Sequence, residues 1–182
     1  MTDITPAQSA QIVQFASGRL GQQVGDGECF ALVDQALRSV PARSAADFGT
    51  ITAQADYRWG RAIQRGEARA GDAIQFRNFS FRETTVTRVT QADGSYTENT
   101  QTQTGSRGAP NHSALVAEIG ADGCFTLYEQ NVSGNRTDHT NRVCCAAIPT
   151  STQTSTDGGV TTTVTRTVSV HGQVRYYRPQ QP

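Results

Sequence analysis

Gly25-Asp26-Gly27-Glu28-Cys29-Phe30-Ala31-Leu32-Val33 decides how this chain is read. Two glycines and an aspartate form a turn. An apolar stripe then recurs at Leu32, Val33, Ala36, Leu37 and Val40, until Pro41 ends it. The spacing predicts a helix from about Glu28, with Cys29 in its first turn. A thiol there feels the positive end of the helix dipole and lies beside free backbone N–H groups, which favours thiolate. A carboxylate turned toward the thiol would oppose this, so Asp26 and Glu28 are expected to point away.

Downstream come Asn111-His112-Ser113-Ala114-Leu115-Val116 and Tyr128-Glu129-Gln130-Asn131. Nucleophile, imidazole and a polar group to orient the ring are the three parts of a thiol hydrolase. The segments 112–119 and 124–131 alternate as two arms of a hairpin around Gly120–Gly123. If Ile119 faces Cys124, counting outward puts His112 opposite Asn131 and Ala114 opposite Glu129, all on one sheet face. The expected roles follow. Cys29 is the nucleophile, and His112 the base that later serves as acid. Asn131 is the orienter, with Glu129 as alternative orienter or electrostatic partner. The Cys29 backbone N–H and the Gln23 amide are the expected oxyanion donors. His139 and His171 are read as surface residues, and Tyr57 and Trp59 as core packing more than cleft wall.

Around this centre, Thr5-Pro6-Ala7-Gln8 reads as a capped helix start, with Ile12, Val13, Ala16 and Leu20 as its stripe and Gly21 as its stop. Short helices or turns are expected around 45–48 and 51–59. From Gly71-Asp72 onward strands take over, beginning with Ala73-Ile74-Gln75-Phe76. Helices first and strands after give an α+β domain with an antiparallel sheet, taken as one domain over 1–182. Two threonine-rich stretches, about 80–107 and 148–168, carry central turns at Ala92-Asp93-Gly94-Ser95 and Thr156-Asp157-Gly158-Gly159. Their β-branched alternation predicts two long projecting hairpins, lying next to each other.

Acidic and basic residues balance at 16 each, which argues against a nucleic-acid or anionic-membrane surface. No apolar run reaches membrane-span length, and the start lacks the features of a secretory leader. The expectation is a cytoplasmic protein, or one exported by a signal-less route. All 16 basic residues are arginine; genome composition or selection against amine acceptors would each account for it. The four cysteines, Cys29, Cys124, Cys144 and Cys145, show no metal-ligand spacing. Cys124 is read as a small buried thiol, and a disulfide from it to Cys144 or Cys145 belongs to an oxidising compartment. The chain is expected to fold without disulfide, metal or cofactor.

Gly25–Leu32, Ala70-Gly71-Asp72-Ala73-Ile74-Gln75-Phe76, His112–Val116 and Glu129-Gln130-Asn131 resemble the papain-like CHAP and NlpC-type amidohydrolase and peptidase superfamily. Ala70 stands where that pattern usually has proline, and Ser113 where valine or alanine is common. Gly-Glu-Cys and the terminal Val174-Arg175-Tyr176-Tyr177-Arg178-Pro179 are most similar to a little-studied branch. That branch includes the cysteine-proteinase-fold domain of fungal myosin-tail-interacting proteins. The resemblance implies a papain-like fold and amide hydrolysis through a thioester. The expected substrate is a peptide, peptidoglycan or a protein target. The alternative is an interaction module on the same fold, binding a partner through its hairpins around a weak or vestigial site.

Overall fold

The computed structural model describes residues 1–52 and 54–182. Helix α1 spans Pro6–Ser17. Its start is held by a reciprocal box, with the Gln8 N–H on Thr5 Oγ1 at 3.2 Å and the Thr5 N–H on Gln8 Oε1 at 2.8 Å. It stops at Gly18, a turn short of the expected Gly21. The Gly21 N–H bonds the Asp138 carbonyl instead, at 2.8 Å, and Leu20 is left exposed. Helix α2, Cys29–Arg38, buries Leu32, Val33, Ala36 and Leu37. A short 3-10 turn covers Ala45–Asp47. In the stretch 51–59, Ala53 lies outside the described residues and the remainder forms no helix.

The strands are β1 (Arg61–Ile63), β2 (Ala73–Thr90), β3 (Tyr96–Ile119), β4 (Phe125–Glu129), β5 (His139–Val143), β6 (Ile148–Asp157) and β7 (Val160–Arg178). They pair antiparallel in the order β1-β7-β2-β3-β4-β5, with β6 on β7. Strand β5 lies where no element was expected. Only Val143 in it is buried, so no apolar alternation announced it. His139 starts this strand half-buried, whereas His171 is exposed on β7.

Each sheet face has its own core. Ala73, Leu115, Tyr128 and Tyr177 pack with Ile12, Leu32 and Leu37 of the helices. Ile74, Phe76, Ala114, Leu127 and Tyr176 point the other way and pack on one another. Phe125 on β4 and Tyr176 on β7 have ring centroids 5.8 Å apart, although their strands are not neighbours. The sheet therefore curls around its second face. Along β2 the register shifts at Asn78, which takes a left-handed φ of 46°. That bulge moves the apolar phase by one residue, so Phe79 and Phe81 stay on the side of Ile74 and Phe76.

Beyond Phe79 the long strands leave the core as a ribbon. β2 pairs with β7 from Ser80↔His171 to Thr90↔Thr161, which joins the two hairpins in the order β3-β2-β7-β6. The β6–β7 turn is Gly158-Gly159, with φ of 55° and 82°, the double left-handed geometry that tight hairpins use. Facing threonine hydroxyls meet across that hairpin, from 2.9 Å at Thr150–Thr167 to 3.4 Å at Thr154–Thr163. Such cross-strand pairs stabilise a ribbon that buries little apolar surface.

Cys124 and Cys144 form a disulfide, contrary to the expectation of a chain without one. The β4–β5 register pairs Phe125 with Val143, so one step outward Cys124 faces Cys144 with Cα atoms 4.2 Å apart. With β5 unread, that juxtaposition was not visible in the sequence. Cys145 packs in the same core cluster and remains a free buried thiol, its pKa pushed up by burial. The bond closes a separation of 20 residues, worth about 3 kcal/mol on the loop-entropy argument. Replacing both cysteines by alanine should lower the melting temperature by roughly 6–12 °C. An unchanged melting curve would remove the bond from the folded state.

Asp138 gives a second test. It is fully buried, and neither carboxylate oxygen has a hydrogen-bond partner among the described residues. Burial pushes its pKa up to about 7, and the Arg19 charge offsets this only in part. The folded state thus holds a proton that an unfolded aspartate releases near 3.8, so stability falls as pH rises between these values. Asp138→Asn should raise the melting temperature more at pH 8 than at pH 5. Equal effects at the two pH values would refute this.

Candidate active site

The turn before α2 is built for a close approach. Gly25 and Gly27 have φ of 58° and 83°, and a Cβ on Gly25 would lie 2.9 Å from the Ala31 Cβ. Gln130, buried at the end of β4, fixes the turn from below. Its Oε1 accepts from the Val24 N–H at 2.8 Å, and its Nε2 donates to the Val24 and Glu28 carbonyls, both at 2.9 Å. The loop carrying Cys29 is thereby tied to the strand carrying Glu129.

The structure brings Cys29 and His112 together. The half-buried thiol lies against the imidazole and receives the Ser113 backbone N–H. Burial alone would raise the thiol pKa. The His112 hydrogen bond and charge, with the Ser113 N–H, outweigh it and hold the thiol below its ordinary value. His112 is 4% exposed, and its Nε2 lies 3.2 Å from Glu129 Oε1, which leaves Nδ1 for the thiol. Burial would lower the imidazole pKa, but Cys29 and Glu129 together raise it to about 9.

Glu129 is wholly buried and fully engaged. Arg107 donates Nε to Oε1 at 2.6 Å and Nη2 to Oε2 at 2.7 Å, and Asn141 Nδ2 donates to Oε2 at 3.0 Å. Burial works to raise its pKa, yet His112 and Arg107 hold it well below the usual carboxylate range. Arg107 reaches this position because β3 bends just above His112. Gly108, Ala109 and Pro110 bulge opposite the single residue Asn78, with Gly108 at φ 73°. Below His112, the Ser113 hydroxyl donates to Gln75 Oε1 at 2.6 Å, and that oxygen also accepts from Trp59 Nε1 at 3.2 Å.

The expected orienter is corrected by this geometry. Asn131 is turned away from His112 and donates to Glu28 Oε2 at 2.6 Å. The hairpin loop is one residue longer than counted, with Ile119 facing Phe125, and a shift at Ala117 restores the counted pairing at Leu115↔Tyr128. The strand then ends at Glu129. Asn131 takes a left-handed φ of 59°, which breaks the alternation and redirects its side chain. Glu28, also bonded by Arg136, points away from the thiol, and Asp26 accepts the Glu28 N–H at 2.9 Å. The Gln23 amide lies over Gly27 and donates to the Gly25 carbonyl at 3.3 Å, so it is engaged with its own turn. Among the described residues the Cys29 N–H has no backbone or side-chain acceptor.

Tyr57 packs edge-on to Phe30, with centroids 5.2 Å apart, and is close enough to Cys29 that burial and the thiolate both raise its pKa. It is packed against the helix-side core, in which Trp59 is fully buried. A cleft of about 250 Å³ opens over His112, bounded by Gly108, Ala109, Asn131 and Ser133. The sequence reading missed Arg107, Gln130 and Asn141. Gln130 stood inside a motif already singled out. Arg107 carried one signal, a Gly-Ala-Pro bend between it and the histidine. Asn141 carried none.

The model of the AIM3/BBC1 cysteine proteinase-fold domain matches residues 2–154, so the chain belongs to that family. No curated protein and no solved structure matches it.

Two substitutions separate the candidate orienters. Glu129→Gln removes the charge that supports protonated His112, so alkylation of Cys29 at pH 6 should slow by about tenfold or more. Glu129→Ala should also destabilise the fold by about 3–5 kcal/mol, because it strands the Arg107 charge. Asn131→Ala should change the alkylation rate by less than about threefold. The reverse ranking would return the orienting role to Asn131.

Proposed function

We propose that this chain is a thiol-dependent hydrolase of peptide-type amide bonds. One observation carries the reading: thiol, imidazole, carboxylate and guanidinium stand in line from Cys29 through His112 and Glu129 to Arg107. The thiol pKa is lowered and the imidazole pKa raised, which shifts the pair toward thiolate beside imidazolium.

In the proposed cycle the Cys29 thiolate adds to the amide carbonyl. The new oxyanion takes the Cys29 backbone N–H, and the Gln23 amide after it leaves Gly25. Imidazolium His112 gives its proton to the departing nitrogen as the C–N bond breaks, leaving a thioester and a free amine. Neutral His112 then takes a proton from water, whose hydroxide adds to the thioester. Collapse expels the thiolate and releases the carboxylic acid, while His112 remains protonated. Glu129 keeps the ring oriented and offsets its charge in both halves. Bacterial cell-wall peptides, other peptides and protein targets all present this bond.

A second reading keeps the fold as an interaction module. It is supported by the ribbon beyond Phe81, whose mostly exposed threonine faces add surface and little core.

Iodoacetamide labelling at neutral pH separates the two. A catalytic Cys29 should react far faster than the free buried Cys145, and its rate should hold as pH falls below the ordinary thiol range. Turnover of peptide or peptidoglycan fragments should vanish in Cys29→Ala. It should also decline as pH rises through about 9, where His112 loses the proton the leaving amine needs. A Cys29 no faster than Cys145 would support the module.

A further inference from the structure

A larger cleft, about 650 Å³, runs beside β3 from Gln103 to Arg107 and faces Asn141 and Arg142 on β5. It shares Ser106, Arg107, Val132 and Ser133 with the cleft over His112, so the two form one groove. One side of the groove is a strand edge without a partner among the described residues. Strand β4 pairs with β3 only between Leu115 and Ile119, whereas Tyr96–Ser106 pairs with β2 alone. Exposed edges are ordinarily guarded by charge, proline or a bulge. The outer strand β6 follows that rule, with Pro149 and a register shift at its base. The segment Asn99–Ser106 of β3 has no charged residue and no proline, and its pairing with β2 is unbroken.

The groove also has a preferred charge. Arg107 is consumed by Glu129, and Arg142 by Glu83 and Asp122. Arg82, which lines the groove beside His171, is exposed and pairs with no carboxylate among the described residues. Its cross-strand partner is Thr104, next to the open edge.

We propose that this groove binds an extended polypeptide that adds to β3 as a further strand, sets an acidic side chain on Arg82, and runs on into the His112 cleft. Backbone hydrogen bonds to the open edge would supply affinity, and Arg82 the selection. Thr104 lies eight positions before His112. The acidic residue therefore falls roughly six to eight residues from the bond presented to Cys29, at about 3.3 Å per residue. Only that last step rests on the hydrolase reading; strand addition does not.

The test uses the full chain carrying Cys29→Ala, so that binding is read without turnover. A random dodecapeptide display library is panned on it, and the selected peptides are synthesised. The expected result is enrichment of Asp or Glu at one fixed position. Binding should weaken about tenfold or more with Arg82→Glu, and on N-methylation of alternate peptide amides in one of the two phases. Amide exchange should slow at Gln103–Arg107 of the protein. Several results would overturn the proposal: no acidic preference, affinity indifferent to Arg82→Glu or to both methylation phases, protection elsewhere, or an edge already closed by a second copy of the chain in solution. A failure here leaves the reactivity of Cys29 toward iodoacetamide untouched, so the two readings fall separately.

Discussion

A buried carboxylate holds this site together. Glu129 is wholly removed from water, a position whose desolvation cost only several well-placed donors offset. Arg107 supplies two, Asn141 one, and His112 Nε2 the fourth. These come from both arms of the β3 bend and from β5, so one side chain fixes three pieces of backbone relative to one another. Arg107 has the complementary constraint. A guanidinium 7% exposed needs a carboxylate as much as Glu129 needs a cation. The ion pair and the bend in β3 therefore require each other, and the orientation of His112 follows from both.

The alternation of a strand divides the labour at the end of β4. Glu129 points to the curled face of the sheet and meets His112. Gln130 points to the helix face and seizes the turn before Cys29. Asn131, past the last strand position, holds Glu28 on the outer side. Three successive side chains thus address His112, the turn before Cys29, and Glu28 beside it. Moving Glu28 onto Asn131 and Arg136 leaves its charge the smallest of the influences on the thiol.

Local physical signals explain what the sequence disclosed. The Thr5–Gln8 box, the glycine turn into α2 and the Gly158-Gly159 hairpin turn are each set within a few residues, and each was legible there. The meeting of Cys29 and His112 was expected because a helix-start thiol and a histidine in a short strand motif carry chemical meaning, and the fold brings the two side chains together. Other features depended on long-range geometry. β5 has almost no apolar pattern, and with it went Asn141 and the Cys124–Cys144 pairing. The choice between Glu129 and Asn131 turned on a left-handed residue and a compensated register shift, which no count of alternating positions contains.

The absence of lysine has a structural correlate at the ribbon's base. There Arg142 bonds both oxygens of Glu83, at 2.6 and 3.0 Å, and also Asp122, while Arg166 donates to Glu83 and to the Asp122 carbonyl. The same two guanidinium groups cover Cys124 Sγ of the disulfide, at 3.3 and 3.1 Å. An ammonium group is a compact point charge and cannot spread over two carboxylates and a sulfur at once; a planar fork of five donors can. Arg142 comes from β5, Arg166 from β7 and Glu83 from β2. The cluster thus ties the ribbon's two inner strands to the strand that carries Asn141. That bond network borders the larger cleft at Arg142, and the Arg107–Glu129 pair lies where the two clefts join, so planar charge pairs hold the groove wall at both places.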